Sequence, residues 1–301
     1  MKIMTYHKPV LLDESIDGLD ITNKGIYVDV TFGGGGHSKS ILTRLDDNGH
    51  LLGFDRDSDA KRNIPDDPRF TFVHGNFRYL QKFLRLYNID KVDGILADLG
   101  VSSFQFDTAE RGFSYRFEAD LDMRMSQENE LDATKILNTY SEKELWYMFS
   151  DYGEIKNSRS LAKAIIEYRA NQRIVASVDF IKMLGPLIRG SKVKYLSQVY
   201  QALRIEVNDE MNALKDFLVD AHKVLKKGGR LSVISYHSLE DRLVKNFFKV
   251  GNFEGKMIQD DFGNIERIFK LINRKVILPN EIELEQNSRA RSAKLRVAEK
   301  I

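Results

Sequence analysis

The sequence predicts an α/β fold, a mostly parallel Rossmann-like sheet interrupted by a helical insert, and three observations carry that prediction. Short β-branched runs alternate with amphipathic stretches from residue 25 to 98, and four successive glycines stand between the first run and the stretch that follows it. From about residue 105 to 203 the strand pattern stops and helical periodicity with polar turns replaces it. Alternation of this kind is the signature of βαβ units. Their right-handed crossovers gather the carboxyl ends of the strands on one edge of the sheet, where open α/β folds bind ligands.

Taken in order, strands are expected over residues 26–31, 51–55, 70–74 and 92–98, with helices near 38–45, 58–63 and 79–87 between them. In the insert, Ser141-Glu-Lys-Glu144 has the Ser-x-x-Glu pattern of a capping box and opens a helix carrying Leu145, Trp146 and Phe149. Further insert helices are expected over 158–170 and 178–188. A helix over 207–225 presents Met211, Leu214, Phe217, Leu218 and Leu225 at helical spacing and should end at Lys227-Gly-Gly229. The sheet then resumes at 230–236, Ser238-Leu-Glu-Asp241 caps another helix, and strands near 268–272 and 294–298 finish the chain. The expected organisation is a discontinuous domain, 1–104 and 204–301, around an insert of residues 105–203.

Composition narrows the function. With 42% apolar and 30% charged residues among 301, the chain fits a globular protein with a substantial core rather than a disordered one. No stretch approaches the roughly 20 apolar residues of a spanning helix, and Met1-Lys-Ile-Met-Thr-Tyr-His-Lys8 lacks the apolar run of a signal peptide, so a cytoplasmic location is expected. The absence of cysteine excludes disulfides, thiolate zinc sites and cysteine nucleophiles. A net charge of +2 does not by itself call for nucleic acid. Basic residues nevertheless cluster at Arg189, Lys192 and Lys194, at Lys223, Lys226, Lys227 and Arg230, and in the final segment with Arg289, Arg291, Lys294, Arg296 and Lys300. Each cluster reads either as a phosphate contact or as a solvated face.

The chemistry concentrates at the active edge. In Asp29-Val-Thr-Phe-Gly-Gly-Gly-Gly-His37 the glycines allow positive φ and close approach to a ligand. No Gly-Lys-Ser/Thr follows, so the loop is not a P-loop, and Ser38 replaces the third glycine of a dinucleotide fingerprint. Asp55, about twenty residues on, stands where a carboxylate accepts the hydroxyls of a cofactor ribose, while Asp57 is expected to cap the next helix. Asp29 either stabilises the loop or holds the cofactor's amino group. Asp98-Leu-Gly-Val-Ser-Ser103 follows the fourth strand. An acceptor there would localise electron density on an exocyclic amine attacking a sulfonium methyl, although a turn-capping role is also open. In Ser235-Tyr-His-Ser-Leu-Glu-Asp-Arg242, Tyr236 could stack on a flipped base and His237 could hydrogen-bond it or relay a proton; His37 and His237 could equally be structural. No His/Asp/Glu set has convincing metal-site spacing, and no metal is expected.

Together these segments resemble the bacterial ribosomal RNA small subunit methyltransferase H family. The resemblance is carried by His7-Lys-Pro-Val-Leu-Leu-Asp-Glu14, the segment from Asp29 to Ser38, Gly53-Phe-Asp-Arg-Asp57 and Asp98 to Ser103. It continues through Arg111-Gly-Phe-Ser114, Leu121-Asp-Met-Arg-Met125, Gln201-Ala-Leu-Arg-Ile205, Ser235 to Arg242 and Asn287-Ser-Arg-Ala-Arg-Ser292, and so covers nearly the whole chain. It implies an S-adenosylmethionine-dependent methyltransferase that modifies N4 of a cytidine in the decoding region of 16S rRNA, in the small ribosomal subunit. It also implies cofactor contacts from Gly35, Gly36, His37, Asp55, Phe77, Asp98 and Gln105. The insert would help dock the RNA, with Arg111, Arg116 and Arg124 as phosphate or base contacts. Before Gln201, Lys194-Tyr-Leu-Ser-Gln-Val-Tyr200 departs from the family's His-Pro-containing approach.

The candidate catalytic residues are therefore Asp98, Tyr236 and His237. Two other readings compete: a non-catalytic RNA-binding ribosome-assembly factor on the same scaffold, and a nicotinamide-dependent oxidoreductase using the glycine loop and Asp55. Monomer and homodimer are both compatible with the sequence.

Overall fold

A computed structural model of the chain describes residues 9–259 and 267–301. His7 and Lys8, the first residues of the opening resemblance segment, lie outside the described residues. The described chain divides into two units, residues 1–100 with 211–301 and residues 101–210.

The first unit is built on a seven-stranded sheet: β1 (Ile26–Asp29), β2 (His50–Asp55), β3 (Phe70–His74), β4 (Val92–Asp98), β5 (Leu225–Ser235), β6 (Phe269–Leu271) and β7 (Lys294–Lys300), in spatial order β3-β2-β1-β4-β5-β7-β6. The first five strands run parallel and β7 pairs antiparallel with both β5 and β6. Alternation along the strands sorts side chains to two faces. Val28, Leu52, Phe54, Ile95 and Ala97 pack with Phe217, Leu218 and Ala221 of helix Glu210–Val224 and with Val244 and Phe248 of helix Ser238–Val250. Tyr27, Leu51 and Leu96 face the other way, against Ile16 and Leu19 of helix Leu12–Leu19 and Ile41 and Leu42 of helix Gly36–Arg44. Both faces are covered, which is why the central strands read as nearly continuous apolar runs. Strand order reverses between β1 and β4, so the carboxyl ends of these neighbours open the crevice in which such sheets hold ligands.

The second unit is helical. Its core joins Ile136 and Leu137 of helix Ala133–Thr139, Leu145 and Phe149 of Glu142–Asp151, Leu161 and Ile165 of Ser158–Arg169, Phe180 and Leu184 of Ser177–Leu184, and Val199 and Leu203 of Lys192–Asn208. Ser141 and Glu144 form the expected reciprocal capping box.

Several element boundaries differ from expectation for identifiable reasons. β1 stops at Asp29 because the Asp29 carboxylate takes the Thr31 N–H and turns the chain out of the strand. Residues 58–63 form a 3₁₀ rather than an α-helix. The expected helix over 207–225 begins only at Glu210, because Asp209 closes the preceding helix in the left-handed region at φ 48°. It ends at Val224, where β5 begins earlier than expected and takes up a register shift near Val92 and Gly94. Helix Ser177–Leu184 gives way to a 3₁₀ turn carrying Pro186, which has no N–H to continue an α-helix. Ser238 is not the cap of the helix it opens; that position belongs to His237.

Candidate active site

The glycine loop connects β1 to helix Gly36–Arg44. Gly35 sits at the helix N-cap with φ 74°, a left-handed conformation that side chains disfavour, and it provides no capping side chain. At Gly36 a Cβ would collide with the Pro9 ring, so this glycine is required by the close approach of Pro9. Without a side-chain cap, the first turn presents backbone N–H groups and the positive end of the helix dipole, a combination suited to a carboxylate.

Asp29 holds this loop from beneath. It is 1% exposed, accepts the Thr31 N–H at 3.1 Å on Oδ1 and accepts the Ser38 hydroxyl at 2.7 Å on Oδ2. Burial raises its pKa, against the opposing pull of His37 and these hydrogen bonds. Of the two roles open to Asp29, the geometry accounts for loop stabilisation.

Asp55 ends β2 and accepts two backbone N–H groups, Gly33 at 2.8 Å on Oδ2 and Asp57 at 2.8 Å on Oδ1. Each oxygen retains acceptor capacity. Burial pushes its pKa up to about 6, partly offset by those N–H donors. Asp57 caps the next turn by accepting the Asp59 N–H, as expected. Phe77 follows β3 in a 3₁₀ turn capped by Asn76, and its half-buried ring meets Phe217 edge-on at 5.4 Å.

Asp98 ends β4 and is the centre of the site. Its N–H donates to Thr31 Oγ1 at 2.7 Å, and its Oδ1 accepts the Tyr236 hydroxyl at 2.7 Å. Oδ2 lies 3.8 Å from His37 Nδ1, while His37 Nε2 lies 3.1 Å from the Val10 carbonyl. The Asp98 side chain is 23% exposed, and the partial burial pushes its pKa up to about 6 against the opposing effects of His37 and the Tyr236 hydroxyl. Burial and Asp98 hold Tyr236 well above the ordinary phenol range, so its hydroxyl is a donor that fixes Asp98.

The structure brings Gly35, Gly36, His37, Asp98 and Tyr236 together through these contacts, with Asp55 tied to the loop at Gly33. It places His237 differently. His237 Nδ1 accepts the Glu240 N–H at 3.4 Å as a helix cap, and its Nε2 sits 3.2 Å from Glu240 Oε1 without hydrogen-bond alignment. This cap uses Nδ1 and leaves Nε2 without a hydrogen-bond partner among the described residues. Gln105 belongs to the second unit, where it is 4% exposed and completes a capping box with Ser102.

Two of the three arginines expected to meet RNA are structural. Arg111 is 7% exposed and donates to the carbonyls of Arg124 and Met125. Arg124 forks onto Asp122 at 2.8–2.9 Å and donates its third nitrogen to the Gln127 and Asn129 carbonyls. Arg116 is exposed, as are Arg189, Lys192 and Lys194. The cluster around β5 is largely consumed internally: Lys226 pairs with Asp93, and Arg230 with Asp20 and Glu299. Of the final basic segment, Lys294 and Arg296 pair with Asp241, and Lys300 donates to the His222 and Leu225 carbonyls.

Thr31, Ser38, Asn63 and the Val10 carbonyl were not selected from the sequence. Thr31 had a local signal, since a threonine two residues after an aspartate is a common turn partner. Asn63, which donates to the Gly33 carbonyl at 2.8 Å, and Val10 act from 30 and 27 residues away and left no local trace.

Comparison with known proteins agrees along the entire chain. The model of the MraW methylase family matches residues 4–301. A Bacteroides thetaiotaomicron protein named Ribosomal RNA small subunit methyltransferase H is 59% identical over 298 residues, covering 99% of this chain and 98% of its own. Proteins of the same name from Flavobacterium johnsoniae and Christiangramia forsetii are 56% and 55% identical, with 99% and 100% of both chains covered.

Proposed function

The chain belongs to the MraW methylase family, and from that premise we propose that it transfers the methyl group of S-adenosylmethionine to N4 of a cytidine in the decoding region of 16S rRNA. The observation that supports this most is Asp98: a carboxyl group fixed by a tyrosine hydroxyl at the end of β4, beside the glycine loop, with one oxygen not taken by that hydroxyl.

The residues present fit the cofactor. The uncapped first turn of helix Gly36–Arg44 suits its carboxylate, with Gly35, Gly36 and His37 supplying backbone. Asp55 suits its ribose hydroxyls, because a buried carboxylate held by two backbone N–H groups and keeping lone pairs takes neutral donors well. Phe77 offers an apolar wall. When bound, S-adenosylmethionine supplies a methyl group activated on a sulfonium.

The protein's own part is alignment. An exocyclic cytosine amine is a poor nucleophile because its lone pair is delocalised into the ring; an acceptor on its N–H group opposes that delocalisation. Asp98 is placed to be this acceptor, and Tyr236 keeps its carboxyl plane fixed. In the second unit, exposed Arg116, Arg189, Lys192 and Lys194 supply the basic contacts proposed for RNA phosphates. Among the described residues no helix is long and apolar enough to cross a membrane, in keeping with action in the cytoplasm on the small ribosomal subunit.

The test is transfer of labelled methyl from S-adenosylmethionine to small subunits prepared from cells lacking this protein, followed by nucleoside digestion. Label in N4-methylated cytidine is expected. Cofactor binding without transfer would instead support a non-catalytic assembly factor, and label in another nucleoside would overturn the substrate.

A further inference from the structure

We propose that His37 is the proton acceptor of the transfer, reached through Asp98, so that Asp98 and His37 together hold and pass on the proton that the methylated amine must lose. The inference rests on the methyl-transfer reading and assigns a step that reading leaves open.

The Val10 carbonyl fixes the tautomer of His37. A backbone carbonyl can only accept, so the 3.1 Å contact requires His37 Nε2 to carry hydrogen in both protonation states of the ring. In the neutral ring the other nitrogen, Nδ1, is then a bare lone pair, and it faces Asp98 Oδ2 at 3.8 Å. A bare imidazole nitrogen opposite a bare carboxylate oxygen is unfavourable, and a single proton on either member relieves it. His37 is 6% exposed, so bulk water gives little access to that proton. The separation exceeds hydrogen-bond length by about 1 Å, a movement that a side-chain torsion provides.

Acidic and neutral groups, not basic ones, surround the Asp98–His37 pair. Asp29 faces the pair from the end of β1, Glu240 from the helix after β5, and the Tyr236 hydroxyl from the end of β5 itself. Among the described residues no lysine or arginine forms an ion pair with Asp98 or Asp29. The raised pKa of Asp98 is consistent with a carboxyl group that accepts a proton readily near neutral pH. His37 touches no reacting atom in this scheme. It is a positioning residue that sets the protonation of Asp98 and then relieves it of the proton.

The step balances. The amine lone pair forms the new C–N bond, the methyl–sulfur bond breaks with its electron pair remaining on sulfur, and the nitrogen sheds its surplus proton to Asp98 Oδ2. Asp98 passes that proton to His37 Nδ1, leaving a carboxylate and an imidazolium whose Nε2–H is still bound to Val10.

The test uses His37→Gln, whose amide N–H can still reach the Val10 carbonyl but which cannot be protonated. Retained S-adenosylhomocysteine binding, a single-turnover rate lower by about 10- to 100-fold and a displaced acidic limb of the pH–rate profile are expected. An unchanged acidic limb would overturn the proposal. A readout independent of turnover is ¹⁵N-histidine NMR of the resting wild-type protein. It should show His37 as the Nε2–H form, with a titration that moves in Asp98→Asn; an Nδ1–H form, or a titration indifferent to Asp98, overturns the proposal. If the wild type transfers no methyl, the methyl-transfer reading fails by itself, and the NMR result still decides whether Asp98 and His37 share a proton.

Discussion

Asp29, Asp55 and Asp98 in the first unit and Asp122 and Glu210 in the second are all carboxylates drawn away from water, and they differ in what holds them. In the second unit Arg124 forks onto Asp122 at 2.8–2.9 Å, and Arg204 forks onto Glu210 at 2.9 Å. In the first unit the three aspartates are held by backbone N–H groups and neutral hydroxyls, and all three pKa values are raised by burial. A carboxylate given a full cationic fork is committed to structure. One buried without a cation retains acceptor capacity and a proton affinity near neutral pH, which are the properties that ligand binding and proton transfer require. The difference separates structural acids from functional ones more sharply than residue type does.

That contrast can be broken from either side. The largest effect is expected from Asp98→Ala, which should lower methyl transfer about 100-fold or more while leaving thermal stability near wild type; undiminished turnover would remove Asp98 from the site. On the other side, Asn208→Ala strips the second unit of a buried amide that accepts from Met125 N–H and donates to the Met123 and Arg204 carbonyls. Its expected loss is about 2–3 kcal/mol of stability, read by urea unfolding. Asp55→Asn should weaken S-adenosylhomocysteine binding about 10-fold or more by calorimetry, the scale of one hydrogen bond to a charged acceptor. Arg124→Lys is the mildest: it exchanges a two-pronged contact for a point charge and should destabilise by about 1 kcal/mol, with cofactor affinity unchanged.

The sheet was legible because its signals are local. β3 and β4 fall on their expected residues, and the alternation that marked them is the same alternation that sorts Val28 from Tyr27 and Ile95 from Leu96. The glycine loop, Asp55 and Asp98 were legible for a related reason: each lies at a strand end, where topology fixes position. What escaped detection depends on distance or on competition between caps. Nothing in the sequence distinguishes Arg116, exposed, from Arg111 and Arg124, which are consumed by nearby carbonyls and an aspartate. His237 stands at the active edge and also caps the helix it precedes, a role that the sequence reading did not assign to it and that Glu240 at the third helical position completes. The turn of helix Lys192–Asn208 into the next helix depends on one left-handed residue, Asp209, which composition does not mark.

The stability of Asp98→Asn measured against pH, beside its turnover, tests most directly whether Asp98 is a buried carboxylate kept for function. The folded-state pKa of Asp98 is raised from 3.8 to about 6. Its contribution to stability is therefore fully present below pH 3.8, is lost as pH rises through about 6, and stays lost above that. Asparagine removes the buried charge and keeps an oxygen for the Tyr236 hydroxyl. The variant should therefore be more stable than wild type by about 1–2 kcal/mol at pH 8, with the gap closing toward pH 4, while methyl transfer falls sharply. A variant that is equally stable at both pH values, or that loses stability at pH 8 and retains full turnover, would contradict the claim that Asp98 is a buried carboxylate kept for function.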